Sequence, residues 1–493
     1  MLDLLQFPTE LLYIIFEELD IFSLLQCTQV CKQIHSLLKD SLAVRYKTLL
    51  AVSGMRDGPP DTISTSERYE KLQAHQDAWN QLRWAPESLC YPMSTMRLWE
   101  LAGGVLALYD LDQRLFKLVQ LPSSHRGLDH REWEIHDIDI QMGDFTMNPS
   151  ADLLVIVARD SVDLNKNVTV FKIRLLSLET GQPHPQARQP ELLVESSTVD
   201  QNWTYEVRIL DEHLAILFRP DDSDAELSAW NWNNGCMIKI FAFFNSFSFL
   251  TKNLIVLSSI WASDLAHETV PELVIIDLYD KEVDELGYSL HLPPLSFHWA
   301  LHDLEIVTEN PPISDWHSTA PFTTSMEDRL VVVNYRLLDI RGILKCYAVF
   351  IPLSVLIECL HKRGTEKSIP WNEWGPENTR MLPISFSENW MCYVHGMKAS
   401  VYDTDHKQFR LYDFTKLAIS YDLAKQQKQP DTQYLIRPTG LKAFGKEPIR
   451  TSLPVRIRTG TLPLESVNAV MVTEDCMVAA CLEDDTMLHV YSL

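Results

Sequence analysis

The sequence predicts an α+β multidomain chain. A small N-terminal all-α module and a helical spacer lead into one large all-β domain, an irregular β-propeller of about seven blades. Three observations predict it. Apolar residues recur at helical spacing as far as about residue 84. From about residue 97 to the end they form short β-branched and aromatic runs separated by polar turns. The β-part, roughly 400 residues, exceeds any small sandwich, and radial repetition at about 50 residues a blade is the economical way to hide so many strand edges. The expected boundaries are 1–45 for the first module, 46–90 for the spacer and 91–493 for the β-domain. Two packed β-domains are the alternative, because no Trp-Asp dipeptide occurs and the only Gly-Gly is Gly103-Gly104, so neither familiar propeller repeat is present.

Each element has its own signal. Leu11, Ile15 and Leu19 recur at i+4 with Leu12 and Phe16 beside them, an amphipathic helix. Pro8 falls in its first turn, where a missing N–H costs nothing, and Glu10 suits the positive end of the dipole. Ser23-Leu24-Leu25-Gln26 reads as a capping box opening a second helix through Leu24, Cys27, Val30 and Cys31. Ile34, Leu37 and Leu38 mark a third, and Leu42 to Val52 a fourth that Gly54 stops. Residues 55–65 read as a loop on their Gly and Pro content. Ser64 to Glu67 form another capping box ahead of a helical face of Tyr69, Leu72, Trp79 and Leu82. Strand-like runs follow, among them Val105–Tyr109, Leu115–Leu121, Leu153–Ala158, His213–Phe218, Arg329–Tyr335, Gln408–Phe414 and Cys476–Leu482. The last, Thr486 to Tyr491, is expected to close the ring against a strand near residues 97–109.

Charge and composition narrow the function. Lys and Arg number 43 against 67 Asp and Glu, a net −24, which excludes a generic nucleic-acid partner and argues against an anionic membrane. No signal peptide and no run of about 20 apolar residues is read, and nine scattered cysteines without Cys-x-x-Cys suit a reducing, intracellular compartment, cytoplasmic or nuclear.

Catalytic patterns are absent. Gly440 to Lys446 has P-loop spacing, but Glu447 stands where a hydroxyl residue should hold Mg²⁺ and Pro448 follows. The histidine pairs His125/His130 and His298/His302 lack companions at ligand spacing, and the acidic run Asp221, Asp222, Asp224 and Glu226 reads as a solvated loop. No catalytic residue, cofactor or metal is assigned. Residues 425–458 carry eight basic side chains against two acidic ones, leaving −30 on the rest of the chain; Lys442, Lys446, Arg450, Arg456 and Arg458 are a candidate substrate-side patch, with a solvated insert as the plainer reading. Trp230, Trp232, Trp316, Trp371 and Trp374 lie in polar, turn-like contexts and are either binding anchors or blade packing.

One segment carries a specific pattern. Phe7-Pro8-Thr9-Glu10-Leu11-Leu12, then Ile15-Phe16, Leu19-Asp20, Leu24-Leu25 and Val30-Cys31-Lys32, resembles an F-box over about residues 3–45. Phe7 replaces the usual leucine, and Ile34 stands where many members have tryptophan. Ala51 to Met55 and Ala78 to Leu82 are similar to a group of fungal F-box proteins with a long β-rich C-terminal region. The resemblance implies a non-catalytic substrate receptor of an SCF-type cullin–RING ubiquitin ligase. It would dock on a Skp-type adaptor through Phe7, Pro8, Leu11, Ile15, Leu24 and Val30 and recruit an unknown protein substrate with the β-domain. A unit of about 40 residues cannot bury its apolar surface alone, so a partner is expected on physical grounds too. The alternative is a propeller-type interaction scaffold outside any ligase; a propeller enzyme would need a convergent polar cluster that the sequence does not display.

Overall fold

Several second and third strands of the sheets are continuous or nearly continuous apolar runs. Val105–Asp110 and Cys476–Cys481 are buried at every residue, as strands covered on both faces must be. The computed structural model describes residues 6–493 except 60–62, 85–88, 93–95, 137, 139–140, 222, 243, 263–268, 281–286, 296–298, 310–319, 326–327, 363–367, 385–392, 426–430, 442–447, 465 and 482–486. It shows these runs assembled into seven sheets of four or five strands, a seven-bladed β-propeller behind an N-terminal set of helices. Blades one, two and three are simple antiparallel meanders beginning at Met96–Ala102, Met142–Asn148 and Trp203–Leu210. Blades four to seven begin at Ser246–Phe249, Trp299–Thr308, Tyr393–His395 and Val467–Val472. First strands of successive blades touch from blade one to blade seven, so they are the inner strands around the axis. Seven separate apolar cores lie one at each interface between neighbouring blades, including the interface of blade seven with blade one.

Ring closure differs from the sequence expectation. Met487–Ser492 pairs with Cys476–Cys481 on one side and with Leu89–Pro92 on the other. Residues near 97–109 instead form the first two strands of blade one. The closing strand has only four residues, too short for a periodic signal, and it places the start of the propeller at Leu89.

Irregularity comes from excursions between third and fourth strands. In blade five the chain leaves Leu344–Pro352 and returns at Arg380–Pro383, with two helices, Leu353–His361 and Trp371–Asn378, between them. In blade six it leaves Gln408–Asp413 and returns at Val455–Gly460, and Thr432–Leu435 adds a fifth strand outside. The tryptophans read as turn residues are packing residues. Trp230 and Trp232 are buried between blades two and three, and the Trp374 indole donates to His291 O at 2.9 Å with Trp371 edge-on to it. Trp316 lies outside the described residues.

Among the described residues five α-helices precede the ring: α1 (Thr9–Glu18), α2 (Ile21–Cys27), α3 (Lys32–Asp40), α4 (Leu42–Ser53) and α5 (Thr65–Gln81). Gly54 ends α4 with φ of 68°, a conformation that favours glycine. The Ser64–Glu67 capping box opens α5. The second helix starts at Ile21, not Ser23. Asp20 is its N-cap, accepting from the Phe22 and Ser23 amides at 2.9 and 3.0 Å, and the Ser23 hydroxyl and then its amide hold the Asp20 carboxyl below its usual value. Within the expected 55–65 loop, Met55–Asp57 is a strand paired with Phe322–Thr324 of blade five.

That strand belongs to a wider docking of the spacer on the ring. In each blade the turn between first and second strands points to one face of the disc, and the next turn to the other. Spacer contacts fall on the first of these faces: Tyr46 Oη donates to Pro321 O (3.2 Å), and His75 Nε2 and Trp79 Nε1 reach Glu474 O (3.0 Å each). Beside them a buried ion network forms. Arg126 of blade one meets Glu474 at 2.8 Å and donates from Nε to Asp475 at 2.7 Å, while His75 lies 3.3 Å from Asp475. Burial alone would raise the Asp475 carboxyl, but the Arg126 charge and the His75 hydrogen bond hold it well below the usual carboxylate range. We expect Arg126→Leu to cost about 3–5 kcal/mol, because it strands a buried carboxylate. A fall in the chain's urea midpoint checks this, and an unchanged midpoint refutes it.

Candidate partner-binding interface

The helical module builds its own core from one side of each helix. Leu12, Phe16, Leu24, Ile34, Leu38 and Val44 are buried together, with Leu19, Cys27, Cys31 and Leu37 against them. Lys47 Nζ donates to Glu17 O at 2.7 Å, tying α4 to the negative end of α1. The other sides of α1 and α2 are also apolar. Leu11 stands one turn before Ile14 and Ile15 on α1, and the three are 46, 57 and 40 % exposed. Phe22 and Leu25 stand likewise on α2, and Phe7 and Val30 flank the two helices, exposed as well. Large apolar side chains gathered and exposed on one face mark an interaction surface, and the described residues supply no cover for this one. Acidic side chains, Glu10, Glu17, Glu18 and Asp20, edge this face and are exposed.

The expected interface residues therefore divide. Phe7, Pro8, Leu11, Ile15 and Val30 are exposed as required, whereas Leu24 is only 2 % exposed and belongs to the module's own core. The reason is the helix start. Beginning α2 at Ile21 turns Leu24 inward and puts Phe22 and Leu25, three residues apart, outward. Ile14, Phe22 and Leu25 were missed. Ile14 could have been found three residues after Leu11, and Phe22 and Leu25 from Asp20 as N-cap.

The basic patch also divides. Arg456 and Arg458 sit at i and i+2 on Val455–Gly460 and are buried. Arg456 pairs with Asp413 and Asp422, and Arg458 donates to Asn80 of α5. Burial works against the Asp413 anion, yet Arg456 and then Lys398 hold that carboxyl well below its usual range. Burial, and next to it the Arg456 charge, push Arg458 down to about 10. These two arginines are thus internal ties. The strand's alternation of arginine with apolar residues shows one polar face, but sequence alone does not show that this face is covered. Arg450 is exposed on the hairpin of Thr439–Leu441 with Ile449–Thr451, and Lys442 and Lys446 lie outside the described residues. Among the described residues no three His, Cys, Asp or Glu side chains converge to hold a metal, and no helix is long and apolar enough to cross a membrane.

Comparison with known proteins bears on the same segment. Residues 4–47 match the F-box-like family. No curated protein matches the chain in sequence. Similar solved structures include Hsv2 of Kluyvelomyces marxianus (12% identity over 78% of this chain and 89% of that one, TM-score 0.32). The Dos1 propeller (9%, 80% and 77%, 0.35) and the WD40 domain of SCAP from fission yeast (10%, 88% and 97%, 0.31) are others. At these scores the propeller assignment rests on the strand pairing itself.

The division of the F-box-like face gives a direct contrast. Leu24→Ala should destabilise the helical module by about 2–5 kcal/mol, whereas Leu11→Ala, at an exposed site, should change its stability by less than about 0.5 kcal/mol. Amide hydrogen exchange over residues 9–53 separates the two, and equal effects would contradict the placement.

Proposed function

We propose that the chain is a substrate receptor of a cullin–RING ubiquitin ligase, docking through the F-box-like module on a Skp-type adaptor and recruiting a protein with the propeller. The observation that carries this is α1. Its inner side fills the module's core, and its outer side, Leu11, Ile14 and Ile15, remains apolar and exposed together with Phe22 and Leu25 of α2. Burying each such side chain on a partner helix is worth about 1.5–3 kcal/mol, enough in sum for a stable complex once the cost of association is met. The chain's own role is proximity. The transfer chemistry belongs to partners, and the spacer sets the distance between adaptor and recruited protein.

The spacer suits that role. Its strand, its capped helices and the His75–Glu474 and Trp79–Glu474 hydrogen bonds hold it against the ring, so the module is carried on a braced arm. The test is co-purification with a Skp-type adaptor. The unmutated chain should form a stoichiometric complex, and Leu11→Asp should weaken it at least about a hundredfold while circular dichroism stays unchanged. Absence of a complex with the unmutated chain would defeat the proposal and leave an interaction scaffold.

A further inference from the structure

Each blade ends on an outer strand, and a strand at the edge of a sheet presents backbone N–H and C=O groups to whatever can pair with them. The chain itself fills that place twice. In blade six Thr432–Leu435 lies outside Val455–Gly460, and in blade four Ser368–Ile369 runs parallel along the outside of Tyr288–His291. Blade two has no such addition among the described residues. There Glu191–Ser196 is the edge of a four-stranded sheet and pairs with Val168–Ser177 on its inner side.

One hydrogen bond fixes which groups of this strand face outward. Pro190 O accepts from the Leu175 amide at 2.8 Å, and from there the register runs unbroken, Glu191 opposite Arg174 through to Ser196 opposite Thr169. Hydrogen-bonded and non-hydrogen-bonded positions alternate in an antiparallel pair, so Leu192, Val194 and Ser196 use their backbone groups on the neighbouring strand. Those of Glu191, Leu193 and Glu195 point away from the sheet. Side chains alternate in step. Leu192 and Val194 are buried in the core shared with blade three, whereas Leu193 is 61 % exposed between two exposed glutamates.

An exposed leucine in the middle of an edge strand invites a further strand, and the charges beside it decide which one. A second copy of this chain fits poorly. With Leu193 against Leu193, in either direction, each glutamate meets a glutamate, and like charges directly opposite are destabilising. A segment with a cation two residues before and two residues after an apolar residue meets the opposite pattern. At Glu191 it would extend a ladder begun by Arg174, whose Nε lies 3.1 Å from Glu191 Oε1. Glu195 stands opposite Val170 and has no ion-pair partner among the described residues. Lys172, opposite Leu193, is engaged by Asp160 at 2.9 Å, so it does not compete for the glutamates. The spacer contacts at Pro321, Glu474 and Arg458 fall on blades five, seven and six, away from this edge.

We propose that the outer edge of blade two, Glu191–Ser196, takes an extended segment of the recruited protein as a fifth strand. The residues of that segment facing Glu191, Leu193 and Glu195 are a lysine or arginine, an apolar residue and a second lysine or arginine. This rests on the receptor reading above and names the chemistry of what is recruited. Main-chain hydrogen bonds hold the segment, and its alternate side chains select it. The edge of six residues reads about 20 Å of extended chain.

The test is fluorescence anisotropy with the full chain and a labelled peptide, Ser-Lys-Thr-Val-Thr-Lys-Ser, whose pattern is the same in both directions. It should bind at least about tenfold more tightly than the same peptide N-methylated on its valine and threonines, which keeps the charge but cannot pair as a strand. It should also bind at least about fivefold more tightly than Ser-Glu-Thr-Val-Thr-Glu-Ser. Leu193→Pro removes an outward N–H that the blade does not use, a change edge strands tolerate, and should abolish binding. Glu191→Lys with Glu195→Lys should reverse the preference between the lysine and glutamate peptides, a reading that does not depend on the proline variant. No binding of the lysine peptide, equal binding of its N-methylated form, full binding by Leu193→Pro, or a charge preference that the double variant leaves in place would overturn the proposal. So would self-association of the chain in sedimentation velocity that Leu193→Pro abolishes while no peptide binds, which would make the edge a contact between copies. Leu11→Asp should leave peptide binding unchanged, so a failed adaptor complex and a failed strand addition are read separately.

Discussion

The structure depends on one short pairing, Leu89–Pro92 against Met487–Ser492. A propeller blade is apolar on both faces, and only a neighbour on each side can cover it. With the ring closed there are seven interfaces and seven cores; opened at this point, blades one and seven would each expose a core such as Leu106, Leu108, Met471 and Val478 to water. The closing strand also follows directly on the spacer. The segment that seals the ring is therefore the same segment that attaches the helical module, and the two cannot be positioned independently.

The spacer's docking is polar where the ring's interior is apolar. Arg126, Glu474, Asp475 and His75 bring charges and hydrogen bonds together from α5, blade one and blade seven. Buried ion pairs add little net stability against apolar packing, but they demand one geometry. Arg456, with its two aspartates, and Arg458, with Asn80, make a second such tie at blade six. An arm held this way suits the proposed receptor role, in which two partners are kept at a set distance.

The net charge of −24 acquires a structure as well. Part of the basic C-terminal stretch is consumed inside the protein, and on the inner strands burial pushes the carboxyls of Glu100, Asp144 and Glu305 up from their usual range. Neither location follows from a count of charges. The polar axis also explains which strands are hard to read. Inner strands such as Met142–Asn148 and Trp203–Leu210 interrupt their apolar pattern with Asp144, Glu206 and Arg208, and outer strands such as Glu191–Ser196 face water on alternate residues. Covered second strands, such as His213–Pro220 and the first six residues of Leu153–Asp163, stand out because both faces are buried.

From sequence alone came the order of elements, the helical stops at Gly54 and the Ser64 capping box, the large all-β region and the F-box-like motif. All are set by neighbours within a few residues, through periodicity, capping and backbone conformation. Only the tertiary structure decided what covers what. It turned Leu24 inward and Ile14, Phe22 and Leu25 outward, buried Arg456 and Arg458, chose residues 89–92 over 97–109 to close the ring, and brought Glu100, Arg208 and Glu305 of three blades near Tyr393 of a fourth. Those outcomes depend on contacts between residues far apart in the chain, and burial by a distant partner leaves no mark on local spacing.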